Sequence, residues 1–172
     1  VSLLNLGLET LAVRMERHCA NALAVAKWLD ADPRVSWVSF PGLETDKYHA
    51  LAEKYMPNGT CGVISFGVPG GREKVSAFLD HLKMVSIATH VADARSCTLY
   101  PAGTTHRQLT EEQLEEAGVG IDLVRLSCGI ENHGRHHRRP RPSPRRRAVS
   151  RRNPPSRLWM ADFSTRPMLS RL

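Results

Sequence analysis

A strand carrying a single arginine, set directly behind a fully signalled helix, constrains this chain more than any other feature. The helix is legible from its ends. Thr110 can cap the first turn, Gln113 three residues on completes a capping box, and Leu109 and Leu114 hold the two hydrophobic-staple positions. Gly118 then stops it. After a short connection Leu123, Val124, Leu126 and Cys128 read as a mostly buried strand, and a strand this apolar seldom carries a charge unless a partner compensates it. Arg125 therefore requires an anion, either an acid of the same chain or a ligand.

The rest of the chain supplies a layered frame for that strand. Leu4, Leu8, Leu11, Met15, Cys19, Ala22, Ala26 and Leu29 recur at three- and four-residue spacing, so residues 3–31 read as one long amphipathic helix, ended by Pro33. Residues 35–40 alternate as a strand before the turn pair Pro41-Gly42. Residues 48–55 form a short helix closed by Pro57 and Gly59, and 61–68 a central strand. Gly70-Gly71 opens a helix over about 72–82, followed by strand segments near 84–88 and 96–99. This order predicts an α/β chain of the α+β type: a small, antiparallel-rich sheet covered by helices on one face.

Charge divides the chain. Residues 133–172 hold twelve arginines, one acid (Asp162) and no lysine, a balance of +11; set against the total of +7, residues 1–132 stand at −4. Proline-rich and poor in apolar residues, this tail is expected to be disordered. Its composition is what a GC-rich gene yields when read in the wrong frame; the alternative is a genuine basic arm that attracts nucleic acid without sequence preference. The four cysteines (Cys19, Cys61, Cys97, Cys128) are far apart and form no CxxC pair, which points to free thiols in a reducing compartment. No apolar run reaches the roughly 18 to 20 residues of a membrane span. A soluble, cytoplasmic protein is expected.

The ordered succession of Pro101-Ala102, Thr104-Thr105-His106, the capped helix, Arg125-Leu126-Ser127 and Gly129-Ile130-Glu131 resembles the C-terminal domain of the Cys/Met-metabolism family of pyridoxal-phosphate enzymes. The resemblance extends back through GLETLAVRMERHCANAL, KYMPNGTCGVISFGVPGG and HLKMVSIATHVADARS, and covers nearly all of residues 3–132. It is greatest to the members that replace the acetoxy group of O-acetylhomoserine with a sulfur nucleophile, giving homocysteine or methionine. Cystathionine-forming or lyase activity is the alternative within the family, and a nucleic-acid-binding arm the alternative outside it. The resemblance implies the small C-terminal domain of a fold type I enzyme, with residues 1–31 continuing from a larger domain, 32–132 binding substrate and the tail lying outside the fold. It also implies pyridoxal 5′-phosphate as cofactor, an amino acid as substrate and a homotetramer.

For single residues the resemblance implies that Arg125 grips the substrate α-carboxylate, since a guanidinium offers two parallel donors that hold an amino acid in one orientation. An internal salt bridge is the competing reading. His90-Val91-Ala92 stands where most relatives have serine or asparagine followed by leucine and glycine, which makes His90 either a substrate contact or an exposed loop histidine. The lysine that joins the cofactor is expected on the larger domain, because Lys27, Lys47, Lys54, Lys74 and Lys83 lie outside any such motif. No catalytic residue is assigned within the chain. Thr104, Thr105 and His106 are expected to fix their loop and Gly67, Gly70 and Gly71 to make turns; His18, His49, His81 and His106 have no mutual spacing that suggests a metal site, and such lone histidines are expected as caps or hydrogen-bonded core residues.

Overall fold

A computed structural model describes residues 2–132, and the expectations for the Arg-rich tail lie outside them. Five α-helices, α1 (Ser2–Glu9), α2 (Leu11–Asp30), α3 (His49–Tyr55), α4 (Gly71–Asp80) and α5 (Glu111–Glu116), accompany five strands, β1 (Val38–Ser39), β2 (Val63–Gly67), β3 (Ser86–Ile87), β4 (Cys97–Leu99) and β5 (Leu123–Ser127). The strands form one sheet in the order β1-β2-β5-β4-β3, so the arginine strand is its centre. Every pairing is antiparallel except β3 with β4. The α+β expectation holds.

Because strand side chains alternate, each strand divides its residues between two faces. Ile64, Phe66, Val124 and Leu126 share one face, and all are buried. Against it α2 lays Ala22, Val25, Ala26 and Leu29, α4 lays Val75 and Leu79, and α5 lays Leu114. Phe66 meets Phe78 edge-to-face, with ring centroids 6.2 Å apart. The other face carries Val63, Ser65, Leu123 and Arg125, which are half-exposed.

Two predicted elements are corrected. The single helix over 3–31 is broken at Thr10, and α1 buries no residue. Leu3, Leu4, Leu6 and Leu8 are exposed, so no packing holds the two pieces in line. At the break Arg14 donates to Thr10 Oγ1 and to the Gly7 carbonyl, taking over an acceptor from the helix backbone. The strand predicted over 35–40 is reduced to Val38–Ser39 because Ser36 Oγ and Trp37 Nε1 both donate to the Asp122 carboxylate, at 3.2 and 2.9 Å. Consecutive residues of a pleated strand point to opposite faces and could not share one acceptor.

The end signals of α5 are realised in full. Thr110 Oγ1 accepts from Gln113 N–H, the Gln113 side chain accepts from Thr110 N–H, and Gly118 leaves the helix at φ +70°, a conformation that disfavours any side chain.

Candidate functional site

The parallel pairing of β3 with β4 creates the site. Parallel neighbours need a crossover that returns the chain across the sheet, commonly a dozen or more residues and a helix. Here residues 88–96 do it without one. The contacts of this loop with β5 side chains place it against the open face: Arg125 Nη2 donates to the Thr89 carbonyl at 2.9 Å, and Ala92 N–H donates to Ser127 Oγ at 3.0 Å. Ala92 is held at φ +59°, where an alanine is strained.

Arg125 lies between Ser65 on β2 and Leu99 on β4. The internal salt bridge is not found: among the described residues no carboxylate pairs with Arg125, and its guanidinium donates to the neutral Thr89 carbonyl. The acid of the loop, Asp93, is engaged by Arg95. The Arg95 backbone N–H holds its carboxyl below the usual range, with the charges of Arg95 and His90 adding. A cation on a half-open strand position needs no buried anion, so the competing reading of an internal salt bridge has no support among the described residues. His90 is exposed on the same loop, next to the residue whose carbonyl Arg125 holds.

Thr104, Thr105 and His106 fix their loop as expected. Thr104 Oγ1 donates to the Tyr100 carbonyl at 2.6 Å, the His106 backbone N–H donates to Pro101, and the Thr105 hydroxyl meets His106 Nδ1. The cysteines are free, two buried and two half-buried. Burial pushes the thiols of Cys19, Cys97 and Cys128 up, and for Cys128 the Glu131 charge adds to it. Since the thiolate is the nucleophile, these three are poor ones.

The described residues do not fit pyridoxal phosphate. A cavity of about 540 Å³ opens between α2 and α3, lined by Cys19, Leu23, His49 and Met56, but it contains no lysine and carries Glu16 and Glu53, the wrong sign for a phosphate. Lys27, Lys47, Lys54 and Lys83 are exposed; Lys47 and Lys54 lie over the rings of their neighbours Tyr48 and Tyr55. Gly70 and Gly71 make a left-handed turn into α4 and form no phosphate loop. No cluster of metal-binding residues exists among the described residues, and no helix there is long and apolar enough to cross a membrane.

Of the polar residues that hold this geometry, sequence reasoning anticipated His18 only in general terms, as a cap or a hydrogen-bonded core residue, and did not single out Asn21. His18 Nδ1 lies 2.6 Å from the Cys128 carbonyl; a carbonyl can only accept, so Nδ1 carries the proton. His18 Nε2 is buried with no partner among the described residues. Asn21 Nδ2 donates to the carbonyls of Gly129 and Glu131. One signal was available: His18 and Asn21 are polar residues three apart on the apolar face of a helix.

A family model described as Cys/Met metabolism PLP-dependent enzyme matches residues 1–134. The chain belongs to this family. It is 49% identical over 132 residues to a homocysteine synthase of Schizosaccharomyces pombe, covering 77% of this chain and 31% of that protein. It is 47% identical over 127 residues to an O-acetyl-L-homoserine sulfhydrylase of Leptospira meyeri, covering 73% and 29%. Its fold is similar to the crystal structure of an O-acetylhomoserine (thiol)-lyase from Campylobacter jejuni that carries a pyridoxyl-lysine phosphate. The TM-score is 0.68 at 40% identity, covering 73% of this chain and 30% of that one. The chain thus spans about a third of the length of these relatives.

Proposed function

We propose that this chain forms the substrate-carboxylate part of a pyridoxal-phosphate enzyme that puts a sulfur nucleophile in place of the acetoxy group of O-acetylhomoserine. The observation that carries the reading is the Arg125 guanidinium: central in the sheet, on its open face, restrained by one backbone carbonyl and unpaired with any acid among the described residues. Such a group meets a carboxylate through two parallel N–H donors, and this fixes the direction of the Cα–H bond of a bound amino acid. His90 is the second contact in this reading, because it follows Thr89 on the loop that touches Arg125. The relatives named homocysteine synthase and O-acetyl-L-homoserine sulfhydrylase support the choice of substrate. Cofactor binding, tetrameric assembly and cytoplasmic residence are proposed for the whole enzyme, with the cofactor held by residues outside those described.

Joining residues 1–132 to the remaining two thirds of the Schizosaccharomyces pombe homocysteine synthase tests this. The chimera should convert O-acetylhomoserine and sulfide. Arg125→Lys, which keeps charge but loses the planar fork, should cost about 1.5 to 3 kcal/mol, roughly ten- to a hundredfold in kcat/KM, at an unchanged melting temperature. A variant that melts early yet turns over normally removes Arg125 from the site.

A further inference from the structure

A second polar network joins the residues just before β4 to the segment after β5. Ser96, fully buried just before β4, donates its backbone N–H to one oxygen of the Glu131 carboxylate and its hydroxyl proton to the other, the latter at 2.9 Å. The same hydroxyl oxygen accepts from Gly129 N–H at 2.8 Å, and Ile130 N–H donates to the Ala94 carbonyl at 2.9 Å. Gly129 has no room for a side chain: a Cβ would stand 2.5 Å from the Ala94 carbonyl oxygen and 2.6 Å from the Arg95 carbonyl carbon. On its other side the segment after β5 is tied to α2 through Asn21.

Both oxygens of one carboxylate thus close on a single serine, an arrangement of charge-assisted hydrogen bonds that fixes direction as well as distance. Ser96 is also the last residue of the crossover loop, so its position sets where Thr89 and Ala92 reach the sheet. We propose that Glu131 is a positioning residue for Arg125. By latching Ser96 to the segment after β5 it orients residues 88–95 so that the Thr89 carbonyl takes Arg125 Nη2 and the rest of the guanidinium is presented to a carboxylate. The purpose of the latch rests on the reading of Arg125 given above; the restraint itself is measurable without any ligand.

The experiment is NMR on the full chain with Glu131→Ala and, as a milder change that keeps one acceptor and still reports if the alanine variant does not fold, Glu131→Gln. The amides of Ala92 and Ile130 should exchange about tenfold faster or more in Glu131→Ala, and less so in Glu131→Gln. Rotation of the Arg125 guanidinium about its Nε–Cζ bond, slowed by the Thr89 contact in the parent chain on cooling, should become fast. The amides of Phe66 and Leu126 should keep their parent rates. Unchanged exchange at Ala92 and unchanged Arg125 rotation in both variants would overturn the latch. So would acceleration of core and loop amides together, which is what a merely structural role predicts. Propionate added to the parent chain separates the two readings: a silent Arg125 resonance sinks the carboxylate role and the purpose assigned to the latch, whereas only the exchange data can sink the latch itself.

Discussion

The two faces of the sheet are built from alternate residues of the same strands, yet different physics holds them. On the covered face Ile64, Phe66, Val124 and Leu126 lose nearly all their exposure to helices whose apolar residues recur at matching spacing. Burial of this kind is non-directional, proportional to area and tolerant of small shifts. On the open face Arg125 and Ser127 hold a loop through single hydrogen bonds to Thr89 and Ala92, and the loop is pinned at Ser96 by Glu131. Those bonds are directional and individually modest, so this face contributes geometry where the other contributes stability. The division suits a binding surface, which gains from precise donors that do not carry the fold.

Breaking the covered face should have the largest effect. Phe66→Ala removes a fully buried ring and its edge-to-face partner contact with Phe78, and should cost about 3 to 5 kcal/mol, a large part of the 5 to 15 kcal/mol that holds a typical domain together. Denaturant unfolding measures it. A loss below about 1 kcal/mol would mean that the polar face carries the fold after all.

A smaller effect of opposite sign should come from the open face. Ala92→Gly relieves a left-handed alanine at φ +59°, and after the greater chain entropy of glycine is counted it should stabilise by roughly 0.5 to 1 kcal/mol. A lower melting temperature in that variant would show that the loop conformation is not strained.

The smallest effect tests a local ion pair remote from both faces. The Arg34 side chain, through its hydrogen bond, is the main reason the Asp32 carboxyl lies below its usual range. A carboxyl held down in the folded state contributes stability above its unfolded value near 3.9, and that contribution disappears as pH falls through the folded value. Arg34→Ala should therefore lower the melting temperature slightly at pH 6, and the gap should close as the pH is taken well below 3. A gap that widened in acid would contradict the sign.

Much of the covered face was legible from residue order. The capping box of Thr110 and Gln113, the stop at Gly118 and the helical spacing of Ala22, Ala26 and Leu29 are local signals, each satisfied within a few residues. Where legibility failed, a distant partner intervened or an expected packing partner was missing. Asp122 draws Ser36 and Trp37 to one side and shortens β1, and the unpacked leucines of α1 leave the first helix free to break at Thr10.

For the site, the sequence by itself determined that a strand would carry Arg125 and that a loop with His90 would precede its neighbour, because period and resemblance are both properties of chain order. It could not determine what Arg125 touches. That was decided by β5 pairing with β2 and β4, by the short crossover from β3 to β4, and by hydrogen bonds such as His18 to Cys128, 110 residues apart. Directional bonds between residues so far apart leave no periodic trace in the chain, since each depends on the register in which whole elements have already been assembled.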